Sequence, residues 1–362
     1  MGLTLGIIGL GRIGGFHADT VAALPDVDGL VITDPFPAAV DTALDRLRAT
    51  GLTSVTTADD ADALVRAGVD GVVVASATPT HAALIEKAVL AGLPTFCEKP
   101  IALSAAESAR VVGIVEHTGV PVQIGYNRRF DPAMSAARRA VAAGELGFVT
   151  TVRSTTLDPA PPPQSYIAAS GGIFGDCAVH DFDTVRWVLD DDVVEVYATG
   201  ANQGDPHFTD VGDVDTASVL LTFASGAIGV VSVTRYNGRG YDCRLEVHGS
   251  DDAVVAGWDR GSPVRNTDPD NAFPDGDPHS FFMDRFAAAY RAELTAFCDL
   301  IGAYRAGEPV KSPCTARDAL EVALIAEAAT RSHKQHRPVA ISELRNELHS
   351  THSDLHTPIS TP

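Results

Sequence analysis

Residues 1–125 alternate short apolar runs with segments of helical spacing. LTLGIIGL ends in glycines and reads as a buried strand, followed by IGGFHADTVAAL with helical periodicity. GLVITD and AAVDTALDRLRAT repeat the pair. DGVVVAS is a continuous β-branched run, as expected of a strand covered on both faces. PTHAALIEKAVLAG reads as a helix opened by Pro79 and closed by Gly92. PTFCEKP is a strand that stops at Pro100. SAAESARVVGIVEHTG begins with a capping-box spacing, Ser104 with Glu107, and VPVQIGYNRRF is a further strand. Strand–helix alternation of this kind predicts a doubly wound parallel sheet with helices on both faces.

After about residue 145 the period changes toward two. FVTTVRSTTLD, VVEVYATGA, DTASVLLTFASG, AIGVVSVTRYN and YDCRLEVHGS read as longer strands separated by glycine turns. They predict a mostly antiparallel sheet and an α+β second domain. One helix, from about Asp176 to Leu189, interrupts the series. FAAAYRAELTAFCDLIGAY and ARDALEVALIAEAATRSH follow as helices. The expected division is a nucleotide-binding domain over 1–125, a substrate and oligomerisation domain over 126–341, and a flexible polar tail over 342–362. The tail histidines His349, His352 and His356 are given no functional role.

The chain has 362 residues, a length that suits two domains, and a net charge of −20. That charge argues against nucleic acid or an anionic membrane surface as partner. Five cysteines without a CxxC pair argue against a disulfide framework and fit a reducing cytoplasm. MGLTLGIIGLGRIGG lacks a basic n-region, and its apolar run is short and broken by glycine. It therefore reads as neither signal peptide nor membrane span.

The first candidate chemistry is a phosphate loop. Gly9, Gly11 and Gly14 have GxGxxG spacing between a strand and a helix, the context that motif needs. The helix N-terminus would supply free N–H groups to a pyrophosphate. Asp34 ends the second strand, where a carboxylate accepts from a ribose 2′-hydroxyl and repels a 2′-phosphate, which favours NAD over NADP. Arg12 stands where it can meet phosphate or tolerate NADP. The second candidate is SGGIFGDCAVHDFDTVRW, in which Asp176 and His180 lie four residues apart. On one helix they would share a face. The spacing fits a metal ligand pair, a proton-transfer pair or a buried hydrogen bond. Asp181 and Asp183 would extend the metal reading, although no Cys- or His-rich partner motif supports it. Lys99, in the EKP sequence, falls at the strand edge where doubly wound sheets bind ligands.

GLGRIG, CEKP, GYNRRFDP, SGGIFGDCAVHDFD, GDVDTASV, YDCRLEVHGS and YRAELTAF run in order from about residue 4 to residue 341. In these the chain resembles the Gfo/Idh/MocA oxidoreductases, NAD(P)-dependent sugar and polyol dehydrogenases. GGIFGDCAVHDFD, GDVDTA and YDCRLEVHGS most resemble the inositol 2-dehydrogenases among them. The resemblance implies a Rossmann domain joined to an open-faced mixed sheet that assembles as a dimer or tetramer. It implies Lys99, Asp176 and His180 as catalytic. His180 suits a base near neutral pH, Lys99 would stabilise a developing alkoxide, and Asp176 would orient and tune both. It adds Ile13, Thr78, Pro79, His81 and Glu98 to the cofactor-binding set of Gly9, Gly11, Arg12, Gly14, Asp34 and Lys99. It places Asn127, Arg128, Asp158 and Tyr241 with the catalytic three at the substrate. Leu157, before the "DP", and Cys177, inside DxxxH, depart from the inositol-type pattern.

The expectation is a cytoplasmic, homo-oligomeric NAD-dependent dehydrogenase of a cyclic polyol or sugar, with myo-inositol oxidised at C2 as first choice and no metal. Rival readings are the same chemistry on a pyranose or aminocyclitol, a non-catalytic NAD(H)-binding regulator, and a metal-dependent lyase or hydrolase on the same fold.

Overall fold

Why the chain divides where it does is visible in its apolar residues. The computed structural model describes residues 2–168 and 170–354 and separates into two units. The first comprises Met1–Phe130 and Ala287–Leu320; the second comprises Asp131–Phe286 and the chain from Glu321 on. The expected spans ran contiguously, but the helix Ala287–Arg305 returns to the first unit. Its Leu294, Phe297 and Ile301 pack on Leu5, Ile7, Val73 and Phe96 of the first sheet. Burying each such side chain is worth about 1.5–3 kcal/mol, which favours that cover over exposure.

The first sheet contains β1 (Leu3–Ile8), β2 (Val27–Thr33), β3 (Ser54–Thr57), β4 (Gly71–Val74), β5 (Thr95–Glu98) and β6 (Val122–Gly125). Its order is β3-β2-β1-β4-β5-β6, with every pair parallel. Strand order reverses between β1 and β4, and ligands of such sheets bind in the crevice at that point. β3 has no counterpart in the expected pattern. It is a four-residue edge strand, SVTT, with one apolar residue and no period to detect. The helix starts were legible. Ser104 Oγ accepts the Glu107 N–H at 3.2 Å, and Gly119 closes the same helix in the left-handed region.

The second sheet contains β7 (Val149–Leu157), β8 (Val193–Ala201), β9 (Thr216–Phe223), β10 (Ile228–Thr234), β11 (Asp242–Gly249), β12 (Ala253–Ala256) and β13 (Val339–Ala340). Its order is β12-β11-β7-β10-β9-β8-β13. β7 and β10 pair in parallel and the other neighbours are antiparallel, so the sheet is mixed. Along β9 Ala217, Val219, Leu221 and Phe223 are buried, while Ser218, Leu220 and Thr222 are exposed. Register carries Leu220 into a lateral row, Tyr197–Leu220–Val230–Arg153–Glu246–Val255.

Two expectations for this unit are corrected. The helix expected from Asp176 to Leu189 is two helices, Gly172–Asp176 and Val179–Leu189. The Cys177 and Ala178 N–H groups both donate to the Ile173 carbonyl, at 3.1 and 2.9 Å. The second of these bonds spans five residues, which shifts the helical phase between Asp176 and His180. The tail is not loose over its first part either. Ile341–Asp354 is a helix held by ion pairs of Arg337 with Glu343, Arg331 with Glu347 and Arg345 with Glu321. Residues 355–362, including His356, lie outside the described residues.

Candidate active site

The first unit supplies a cradle at the carboxyl ends of its strands. Gly9 has φ +97°, and a Cβ there would lie 2.6 Å from the Ser76 backbone. A Cβ on Gly14 would lie 2.1 Å from the Gly9 carbonyl oxygen. Loop and helix can close this tightly only without side chains at both positions. Gly11 differs, because a Cβ there would meet nothing within 4 Å. Its bare surroundings suit the backbone approach of a pyrophosphate. No side chain caps the helix Arg12–Ala22 and no acid stands in its first turn, an arrangement suited to receiving an anion. Arg12 is exposed and Ile13 half-buried in that first turn. Asp34 follows β2 and accepts from the Leu10 N–H at 2.7 Å and the Phe36 N–H at 2.8 Å. Its carboxylate is thereby fixed against the glycine loop. These residues fit a dinucleotide.

Thr78 and Pro79 form a 3-10 turn after β4, with Thr78 half-buried and Pro79 exposed. His81 opens the helix that follows this turn. Its ring is buried, with Nδ1 2.7 Å from the Pro100 carbonyl and Nε2 3.1 Å from the Ser76 carbonyl. Burial pushes its pKa down despite the two acceptors, so the neutral ring donates to one of them. It ties the loop after β4 to the turn after β5. Glu98 also turns inward, its Oε1 2.6 Å from His17 Nε2 and its Oε2 accepting from the Lys99 N–H at 3.1 Å. Lys99 itself is half-buried at the end of β5. Asn127 and Arg128 follow β6 and are both buried, and Asn127 Nδ2 has no protein partner among the described residues. Such a donor is costly to bury unless something accepts from it. Arg129 donates to the Pro313 carbonyl at 3.0 Å and reaches Asp318 at 3.4 Å, a structural pairing.

In the second unit Asp176 is buried at the end of its helix. It accepts from Tyr166 Oη at 2.8 Å and from Arg235 Nη2 at 2.7 Å. Arg235 Nη1 donates to Asp158 at 2.8 Å. Burial works against the Arg235 charge, but the adjoining carboxylates outweigh it and raise its pKa further. Asp158 is thus one member of an ion triad with Arg235 and Asp176. His180 is half-buried in the first turn of the helix Val179–Leu189, and its carbonyl accepts from Thr184 Oγ1 at 2.7 Å. Asp181, a ligand in the metal reading, accepts from Ser154 at 2.5 Å and Thr156 at 2.9 Å and pins its helix to β7. Cys177 is buried and its thiol pKa is pushed far up by burial, so it is no nucleophile at neutral pH. Tyr241 is buried with its ring against Phe282 and Phe286, centroids 6.3 and 6.2 Å away.

Sequence reasoning missed Arg235, Tyr166, His17 and Glu293. Arg235 follows β10 in a VTRYN stretch with no spacing to mark it. His17 and Glu293 lie inside segments whose apolar period accounts for them as helix residues. Only YRAELTAF, which contains Glu293, carried any signal.

Residues 3–126 match the oxidoreductase family with an NAD-binding Rossmann fold, and residues 134–255 match the Gfo/Idh/MocA C-terminal domain. The chain is 38% identical over 342 residues to an inositol 2-dehydrogenase of Rhizobium meliloti, covering 94% of this chain and 100% of that one. It is 35% identical over 346 residues to a myo-inositol 2-dehydrogenase of Thermotoga maritima, covering 94% and 99%. Among solved structures it resembles a scyllo-inositol dehydrogenase from Lactobacillus casei holding NAD(H) and scyllo-inositol. That likeness has a TM-score of 0.81 and 26% identity, covering 94% of this chain and 100% of the other. Glycine cradle, mixed second sheet and sequence matches agree: the chain belongs to the Gfo/Idh/MocA family of oxidoreductases and uses NAD as cofactor.

Proposed function

We propose that the protein oxidises a secondary alcohol of a cyclic polyol with NAD⁺, and that the substrate is myo-inositol, converted at C2 to 2-keto-myo-inositol. The observation that carries this reading is the placement of Lys99 and the unpartnered Asn127 donor on the sheet edge that bears the glycine cradle. The substrate class rests on the relatives named above. NAD⁺, when bound, accepts the carbon-bound hydrogen with its electron pair. His180 takes the hydroxyl proton, a role that suits an imidazole near neutral pH. The Lys99 ammonium donates a hydrogen bond to the oxygen as its negative charge develops. Asp176, held by Arg235 and Tyr166, supports the protonated imidazole electrostatically. Asn127 and Arg128 serve as donors to ring hydroxyls. In that scheme Asp158 acts through Arg235, and Tyr241 shapes the wall.

We further propose a homodimer or homotetramer assembled through the exposed face of the second sheet, where Tyr197, Leu220, Ile228 and Val255 stand in the open. Five buried free cysteines favour a reducing, cytoplasmic setting. Among the described residues no helix is long and apolar enough to cross a membrane.

The test is NADH formation followed by absorbance across inositols, hexoses and aminocyclitols with NAD⁺ and NADP⁺. Turnover of myo-inositol with NAD⁺ is expected. Turnover of another ring would keep the mechanism and move the substrate. No turnover with NADH still bound would favour the regulator reading.

A further inference from the structure

A buried acidic cluster lies directly behind Lys99. His17 of the helix Arg12–Ala22, Glu98 at the end of β5 and Glu293 of the helix Ala287–Arg305 are all buried. Their ligand-type atoms lie within 4.8 Å of one another. His17 Nε2 and Glu98 Oε1 are 2.6 Å apart, and the second Glu98 oxygen accepts the Lys99 main-chain N–H at 3.1 Å. The His17 ring is enclosed edge-on by Phe96 and Tyr290, centroids 5.5 and 5.7 Å away. Neither Glu293 carboxyl oxygen has a partner among the described residues. The neighbouring Gln123 amide nitrogen donates to the Glu293 carbonyl at 2.8 Å, and Gln123 Oε1 has no partner among the described residues.

We propose that His17, Glu98 and Glu293 form a positioning network for Lys99, in which one negative charge, seated on Glu98 and shared with His17, fixes the Lys99 backbone and favours its ammonium form. The inference rests on the catalytic role given to Lys99. Two carboxylates this close in an apolar enclosure cannot both stay ionised. Burial pushes the Glu293 pKa far up, and the Glu98 charge adds to it, so Glu293 is a neutral acid. Burial also opposes Glu98 ionisation, but the His17 hydrogen bond and the nearby Lys99 charge outweigh it and bring its pKa down. The other titratable group beside Glu98 is Cys97, which burial keeps neutral. A divalent cation is the competing occupant of such a residue set. It needs His17 Nε2 and Glu98 Oε1 aimed at a common centre, whereas they are aimed at each other across 2.6 Å.

The experiment compares Glu98→Gln, Glu98→Asp, Glu293→Gln and Lys99→Ala in the full chain, reading kcat and KM against pH and NADH affinity. Glu98→Gln removes the anion, so kcat falls roughly tenfold and its alkaline limb moves about one pH unit lower, with NADH affinity little changed. Glu98→Asp restores the limb, because it restores the charge. Glu293→Gln replaces a neutral acid with a neutral amide and leaves the Glu98 anion in place, so its alkaline limb moves less than that of Glu98→Gln. Its infrared difference spectrum at neutral pH shows the loss of a protonated-carboxyl C=O band, a readout that stands even if Glu98→Gln does not fold. An unmoved alkaline limb in Glu98→Gln, or no such band, overturns the network while Lys99→Ala stays inactive. An active Lys99→Ala overturns the functional reading itself. A chelator-sensitive wild-type activity, or metal copurifying in wild type and lost in Glu293→Gln, overturns the network in favour of a cation site.

Discussion

The guanidinium of Arg235 lies 2.7 Å from the carboxylate of Asp176, and both side chains are buried in the second unit. The same arginine reaches Asp158 at 2.8 Å. Arg235→Ala therefore leaves two buried carboxylates without their cation. Breaking such a pair costs about 3–5 kcal/mol. Urea unfolding is expected to show a destabilisation of that order, with kcat lowered because Asp176 is released. Arg235→Lys keeps charge but loses the fork that serves two carboxylates, so an intermediate loss is expected. Wild-type stability in Arg235→Ala would show that the triad contributes little.

Lys99→Ala and His180→Ala are each expected to lose most of kcat, on the order of a hundredfold or more, while NADH still binds. Fluorescence titration of NADH separates the two effects. Near-normal turnover in both variants would refute the catalytic assignment.

The glycine cradle gives two variants with opposite signatures. Gly14→Ala drives a Cβ to 2.1 Å from the Gly9 carbonyl, so the apo protein loses roughly 1–3 kcal/mol or more and NADH binding with it. Gly11→Ala meets no protein atom within 4 Å. Its apo melting temperature is expected to match wild type, whereas NADH affinity falls because the methyl occupies the approach to the pyrophosphate. Calorimetry with and without NADH reads both.

Asp34→Ala is expected to weaken NAD binding about tenfold, the worth of one to two hydrogen bonds, and to narrow the advantage over NADP. Part of that loss comes from the loop, since Asp34 also holds the Leu10 and Phe36 N–H groups. Asp34→Asn keeps an acceptor for one of these while removing the charge that repels a 2′-phosphate. An unchanged cofactor ratio in both variants would show that Asp34 does not read the ribose.

Glu343 anchors the helix Ile341–Asp354. The hydrogen bond from Arg337, then that from the Ala340 N–H, lowers its pKa from 4.5 to about 2. A carboxylate depressed on folding stabilises the folded state above its unfolded value of 4.5, and that stabilisation is lost as pH falls through about 2. Because the group is exposed, the effect is small and weakens with salt. Acid titration of helical circular dichroism is expected to show a transition in that window that Glu343→Gln lacks. Identical acid limbs in the two proteins would mean that other contacts hold this helix.

Much of the architecture was legible because the chain writes it locally. β8 matches the stretch VVEVYATGA residue for residue, and the Ser104 and Gly119 caps stand where side-chain chemistry demands them. β3 and the break at Cys177–Ala178 were not legible. One is too short and polar for a period to register, and the other depends on a carbonyl shared by two N–H groups. The return of Ala287–Arg305 to the first sheet was hidden for another reason. Its apolar stripe says only that something must be covered, not which surface.

The sequence by itself determined the glycine cradle and the acid after β2, because each is set by spacing along a few residues, while Lys99, Asp176 and His180 were marked by the family resemblance. Tertiary structure decided which of those groups carry neighbours that alter them. His81 and Glu98 became internal ties, and Asp176 acquired Arg235, 59 residues away just after β10. Desolvation and charge pairing act through space between elements that the chain order keeps apart, so no local pattern of residues encodes them.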